Sequence, residues 1–174
     1  DKYEITVVAN SNTGNVYDGT EKKAEGFETL EFTVDSNKYT VSGLTTSDPK
    51  STDVATLPNA ISGTAMVKDA AGNDVTAQFT VNTTDGTLEI TEREVTVSVA
   101  DKTTEYNGSE QYGNETYTFN NVVAGQNATI TYTPSKGTLV NTYDNGAYTD
   151  GSFKVEDANG SDVTSNYTLG TQTA

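Results

Sequence analysis

Asp69-Ala70-Ala71-Gly72-Asn73-Asp74-Val75-Thr76-Ala77-Gln78-Phe79-Thr80 returns 88 residues later as Asp157-Ala158-Asn159-Gly160-Ser161-Asp162-Val163-Thr164-Ser165-Asn166-Tyr167-Thr168, with seven of twelve positions identical. A second block, Tyr17-Asp18-Gly19-Thr20, returns as Tyr106-Asn107-Gly108-Ser109 at an offset of 89. Two separate blocks recurring at nearly one spacing divide the chain into tandem domains, residues 1–91 and 92–174.

Outward from these blocks the dominant signal is period two. Ile5, Val7 and Ala9 alternate with Thr6, Val8 and Asn10, and Val95, Val97 and Val99 with Thr96, Ser98 and Ala100. Ile130 and Tyr132 alternate with Thr129, Thr131 and Thr133. This is the pattern of strands with one buried and one wet face. Asp18-Gly19, Ser42-Gly43, Asp85-Gly86, Asn107-Gly108, Asn145-Gly146, Asp150-Gly151 and Asn159-Gly160 punctuate the strands as tight turns. The predicted fold is all-β: two tandem immunoglobulin-like β-sandwiches of about seven short strands each. A β-grasp-like module is the alternative. It requires a helix, and the only room for one, Ser47 to Pro58, carries Pro49 and Pro58 and several β-branched residues.

Hydrophobic phase places the boundary. Leu88 and Ile90 are apolar at even positions, Val95, Val97 and Val99 at odd ones. A one-residue shift turns every side chain of a strand to the other face, so the two sets belong to different strands. The break falls in Thr91-Glu92-Arg93-Glu94, a junction without Gly or Pro that predicts restricted motion between domains. In the first copy Asp85-Gly86 leads into Thr87-Leu88-Glu89-Ile90, a closing strand. At the same offset its counterpart lies past Ala174, so the second domain either lacks that strand or uses Thr171-Gln172-Thr173 in its place. The chain opens directly in strand-like sequence (Tyr3 to Val8) and reads as a piece of something longer.

Composition narrows the chemistry. The 174 residues contain no cysteine and no histidine, which removes thiol chemistry, imidazole bases and the commonest zinc ligands. Ten basic residues against 25 acidic ones give a formal charge of −15, which repels nucleic acid phosphates and anionic lipid heads. No apolar run among these residues is long enough to span a membrane, and no signal peptide is expected within them. Carboxylate pairs such as Glu28 with Glu31, Asp144 with Asp150 and Asp157 with Asp162 are plentiful, but two small domains promise no deep cleft to hold one. The chain is therefore expected to be no enzyme and to need no cofactor.

The order of motifs carries a resemblance. An opening strand and a Tyr-Asp-Gly-Thr turn (Tyr17 to Thr20) precede Tyr39-Thr40-Val41-Ser42-Gly43-Leu44. Asp-x-x-Gly-x-Asp-Val-Thr (Asp69 to Thr76) and Gly86-Thr87-Leu88-Glu89-Ile90-Thr91 follow, with Arg93 just beyond. The whole resembles the MBG-type repeats of large Gram-positive cell-surface adhesins, in two copies. The second copy departs in carrying Asn107 and Ser109 for Asp and Thr, and Asn121-Val122 for Gly43-Leu44. The resemblance implies an extracellular module of a cell-wall-anchored bacterial protein, flanked by further repeats.

Four kinds of candidate site emerge. Asp69, Asp74, Asp157 and Asp162 place oxygens around glycines, which suits calcium, although each run lacks a full ligand series; turn capping is the simpler role. Glu92, Glu94 and Asp101 form a second acidic group, with Arg93 as their expected salt partner. Seven of ten tyrosines lie in the second half, and Tyr112, Tyr117, Tyr132, Tyr143 and Tyr148 are candidates for contacting a glycan or extracellular protein. Cross-strand packing is the competing role for these rings. Tyr17 and Tyr106 are expected to plug the ends of the two cores. Lys68 and Lys154 are the candidates for a Lys–Asn crosslink, which requires a buried lysine. The expected function is a semi-rigid stalk, acting as a monomer; the alternative is a binding module using the second domain's tyrosines.

Overall fold

The computed structural model describes all 174 residues, Asp1 to Ala174. The chain is all-β and divides into two compact units, Asp1–Thr91 and Glu92–Ala174. The only helical pieces are single 3-10 turns at Thr76–Gln78 and Thr164–Asn166, so no helix exists to lie across a β-grasp sheet. No helix is long and apolar enough to cross a membrane.

The first unit has ten strands, not seven: β1 (Tyr3–Val8), β2 (Asn12–Val16), β3 (Lys22–Lys23), β4 (Glu31–Val34), β5 (Asn37–Thr46), β6 (Lys50–Ser51), β7 (Ala55–Asn59), β8 (Ile61–Asp69), β9 (Phe79–Thr84) and β10 (Gly86–Thr91). β3 and β6 are two-residue strands that pair with each other within what reads as loop. The sheets are β1-β9, β2-β10-β7, β4-β5-β8 and β3-β6. β1 and β9 run parallel in unbroken register from Tyr3 opposite Phe79 to Val8 opposite Thr84. Alternation sends Ile5 and Val7 inward, where they meet Val41, Val67 and Phe79. The rings of Tyr39 and Phe79 meet edge to face at 4.8 Å.

β10 closes the other end of this unit. It lies between β2, parallel, and β7, antiparallel. Gly86, Leu88 and Ile90 point inward and are buried, with Tyr17, Ala9 and Ala24 also buried. Burying Leu88 and Ile90 contributes roughly 1.5–3 kcal/mol each. Asp85-Gly86 is therefore not a hairpin turn, because β9 and β10 do not pair; it carries the chain from one sheet to the next.

Two further turn assignments change. Ser42-Gly43 lies inside β5 as a bulge, with Gly43 at φ +83 facing Gly63 at φ +102 on β8. The hairpin is instead at Asp35-Ser36, both at positive φ, a two-residue turn joining β4 to β5.

The second unit has nine strands: β11 (Arg93–Ser98), β12 (Gln111–Tyr112), β13 (Thr118–Asn120), β14 (Asn127–Thr129), β15 (Tyr132–Thr133), β16 (Lys136–Gly137), β17 (Ala147–Tyr148), β18 (Lys154–Glu156) and β19 (Tyr167–Thr173). β11 pairs in parallel with β19 as β1 does with β9, and β12 with β16 as β3 does with β6. β14 pairs with β18, setting Ala128 opposite Val155 where the first unit sets Val41 opposite Val67. Gly43-Leu44 thus corresponds to chain beyond β14. Asn121-Val122 follows β13, which pairs with β11, and is not its replacement.

Thr171-Gln172-Thr173 is not a closing strand either. It is the end of β19, the counterpart of β9. The second unit has no counterpart of β10, and its buried apolar core is correspondingly smaller: Val95, Val97, Ile130, Val155 and Tyr167.

Candidate functional site

The repeated Asp-rich blocks form the same turn twice. Asp69 Oδ1 accepts hydrogen bonds from the backbone N–H groups of Ala71 and Asn73 at 3.0 and 2.9 Å. Asp157 Oδ1 accepts from Asn159 and Ser161, both at 2.9 Å. Asp74 and Asp162 accept from the N–H of Thr76 and Thr164 at 3.0 and 2.9 Å. Those threonine hydroxyls in turn accept from Val67 and Val155 N–H, each at 2.9 Å, locking the turn to its strand. The hydrogen bonds from Asn73 hold Asp69 below the usual carboxylate range, and those from Thr76 and Thr164 do the same for Asp74 and Asp162. The four aspartates are thus engaged by their own loops. No group of three or more acidic side chains gathers with metal-ligating geometry.

Arg93 holds Asn121. Its Nε donates to the carbonyl oxygen of Asn121 at 2.7 Å and its Nη2 to Asn121 Oδ1 at 2.8 Å. Asn121 sits at φ +76, and the guanidinium fork clamps this strained residue at the end of β13. Glu92 accepts a hydrogen bond from the hydroxyl of Thr168.

Lys68 and Lys154 are exposed, and Lys154 Nζ lies 2.6 Å from Glu156 Oε1. Neither lysine has the buried setting that crosslinking to an asparagine requires.

The tyrosines separate into two groups. Tyr117 packs edge to face on Phe119 at 5.6 Å, and its hydroxyl accepts from Ile130 N–H at 3.4 Å. Tyr148 donates to the carbonyl oxygen of Thr173 at 2.6 Å, and burial pushes its phenol upward in pKa. Tyr112, Tyr132 and Tyr143 instead line a groove of about 540 Å³ within the second unit. Tyr132 stacks across strands on Tyr148 at 5.0 Å, so one of its faces is used by packing. Tyr143 donates to the Leu139 carbonyl at 2.8 Å and accepts from the Leu139 N–H at 3.0 Å, pinning its loop.

Tyr106 lines the same groove. Its counterpart Tyr17 is 2% exposed, yet Tyr106 is 62% exposed and plugs nothing. Tyr17 donates its backbone N–H to Thr91 at the end of β10 at 2.9 Å, and residues 92–174 do not include a counterpart of that strand. Leu139 and Val140, 72% and 85% exposed, complete an apolar wall that individual residue types did not announce.

Asp101, Lys102, Lys136 and Asp144 balance one another in charge around the groove. Asp150, paired with Asp144 on sequence grounds, does not line it. The arrangement offers aromatic and aliphatic surface together with backbone outside any ladder at residues 99–107 and 138–146.

No protein-family model, curated protein or solved structure matches this chain.

Proposed function

We propose that this chain is a non-catalytic tandem-repeat segment of a bacterial surface adhesin, built from immunoglobulin-like modules and serving as a spacer. The observation that carries the reading is repetition of scaffold: both units use the same hydrogen-bonded Asp turn and the same parallel pairing of an entry strand with a late strand. Only Glu92 lies between β10 and β11 in the sequence. Small-angle scattering tests the reading. A compact particle of this length has a radius of gyration of about 16 Å, and a spacer lies well above it. A measured value near the compact one overturns the proposal.

A second reading is favoured by the exposed rings of Tyr106, Tyr112 and Tyr143 at one groove. Here the second unit binds a glycan or an extracellular protein. Glycan arrays and matrix-protein binding discriminate: saturable binding lost in Tyr112→Ala and Tyr143→Ala replaces the spacer-only reading with this one.

A further inference from the structure

We propose that the Asp48–Pro49 peptide bond is a self-cleavage site: in mild acid the folded first unit cuts its own chain there, with the Asp48 carboxylate as nucleophile and water as the second reactant. The reaction is single-turnover and lies within the first unit, so it holds whether the chain is a spacer or a binder.

The chain has three prolines, and only Pro49 follows an aspartate; Pro58 follows Leu57 and Pro134 follows Thr133. A prolyl nitrogen carries no hydrogen and is bonded to three carbons. It therefore accepts a proton more readily than an ordinary peptide nitrogen and departs more easily as an amine.

The fold adds strain at the residue whose bond would break. Asp48 has φ +50, a conformation that non-glycine residues rarely adopt, and a following proline further drives its backbone toward extended geometry. Surrounding contacts hold it there. The Asp48 N–H donates to Oδ1 of the buried Asn59 at 3.0 Å. On either side, the Ser47 N–H donates to the Ala60 carbonyl at 3.0 Å and the Pro49 carbonyl accepts from the Ala24 N–H at 3.1 Å. Opening the bond frees Asp48 from the proline, so strain is relieved as the bond breaks.

The carboxylate is also held in place. Asp48 Oδ1 accepts from the Thr46 hydroxyl at 2.6 Å and from the Gly26 N–H at 2.9 Å, while Oδ2 makes no hydrogen bond within the protein. Those bonds keep the group ionised further into acid than an ordinary aspartate, so the nucleophile persists where protonation of the prolyl nitrogen becomes more frequent. Lys23 and Lys50 stand opposite each other on β3 and β6 near this loop, and Lys23 pairs with Glu25 at 3.0 Å; none of the three forms an ion pair with Asp48.

The step balances with water alone. Oδ2 adds to the backbone carbonyl carbon of Asp48, the bond from that carbon to the Pro49 nitrogen breaks, and the nitrogen leaves as an amine carrying a proton from the medium. The cyclic anhydride left on Asp48 then takes up water, which restores the side-chain carboxylate and creates a new terminal carboxylate. β1, β2 and β5 on one side of the cut pair with β9, β10 and β8 on the other, so the ladders outlast the covalent break.

The test holds the full chain at the lowest pH at which its circular-dichroism spectrum stays native, beside the same chain unfolded in urea at that pH. Cleavage is followed by intact mass. Fragments 1–48 and 49–174, together heavier than the chain by one water, should form at least about fivefold faster in the folded sample. Pro49→Ala, which keeps the carboxylate, and Asp48→Asn, which keeps a side-chain oxygen for Thr46 and Gly26, should both lose the cut while retaining the native spectrum. Three results overturn the proposal: no cleavage at this bond in the folded chain, cleavage as fast or faster in urea, or cleavage that persists in either variant.

Discussion

The side-chain amide of Asn59 donates to the carbonyl oxygen of Asn10 at 3.0 Å, and Asn59 is wholly shielded from water. The same side chain accepts from the Asp48 N–H at 3.0 Å. One buried polar residue thus ties β7 to the chain leaving β1 and to the loop after β5. Asn59→Leu keeps the branching and heavy-atom count but is bulkier, and it leaves the Asp48 N–H and the Asn10 carbonyl oxygen without their partner. It should lower stability by about 2–3 kcal/mol, read as a shifted midpoint in urea unfolding of the first unit.

Gly43 and Gly72 separate conformational strain from steric clash. Both have positive φ, +83 and +85. A Cβ on Gly72 meets nothing within 4 Å, whereas one on Gly43 lies 2.2 Å from the Thr64 carbonyl oxygen. Gly72→Ala should cost about 1 kcal/mol for φ alone. Gly43→Ala must also push β5 away from β8 and should cost at least about 3 kcal/mol by the same denaturation measurement.

Acid should weaken both units. Asp18 is held well below the usual carboxylate range, chiefly by Lys22 and then by Thr20, and Asp48, Asp69, Asp74 and Asp162 are also lowered by hydrogen bonds. A folded-state pKa below the unfolded value near 3.9 gives stability that is present above about pH 4 and lost as pH falls through the folded value. Without histidine, no side chain with an ordinary pKa titrates between pH 5 and 8, so stability should stay flat there. Tyr3 and Tyr148 are raised, so their contribution is lost as pH climbs past about 10. Thermal unfolding from pH 2.5 to 10.5 should trace this plateau. The penalty of Asp74→Asn or Asp162→Asn should shrink toward the acid limb.

The unequal cores predict two transitions. Scanning calorimetry should resolve a lower one for the second unit and a higher one for the first. Val97→Ala, at a residue 1% exposed, should lower the first-melting transition alone; Val7→Ala, at one 0% exposed, the other alone. Each loses about 2 kcal/mol from its own unit. A single merged transition that both substitutions move overturns the expectation.

Strand positions were legible because alternation is a local signal: Ile5, Val7, Val95, Val97, Leu88 and Ile90 are all buried as their phase requires. Turns were less so. Ser42-Gly43 reads as a hairpin until Gly63 is seen across the ladder, and Asp35-Ser36 lacks the glycine that usually marks a type I′ turn. The Asp blocks were legible as turn chemistry because each carboxylate bonds residues two to four places on. The groove was hidden. Tyr17 and Tyr106 share a local motif, and what separates them is a strand about 70 residues away in sequence. Nothing local in the sequence marks Leu139 and Val140, 72% and 85% exposed, as surface residues.

The parallel alignment of β11 with β19, and of β1 with β9, has a mechanical consequence. In a hairpin pulled from its two open ends, hydrogen bonds break in succession. In the first unit β10 follows β9 and takes the load at that end; in the second unit the first strand, β11, and the last, β19, run the same way, so a pull on its two ends slides one along the other. The whole row of bonds then bears the load together and must fail together. A unit held this way resists stretching far more than its modest core would suggest, and its rupture is governed by an unfolding rate rather than by equilibrium stability.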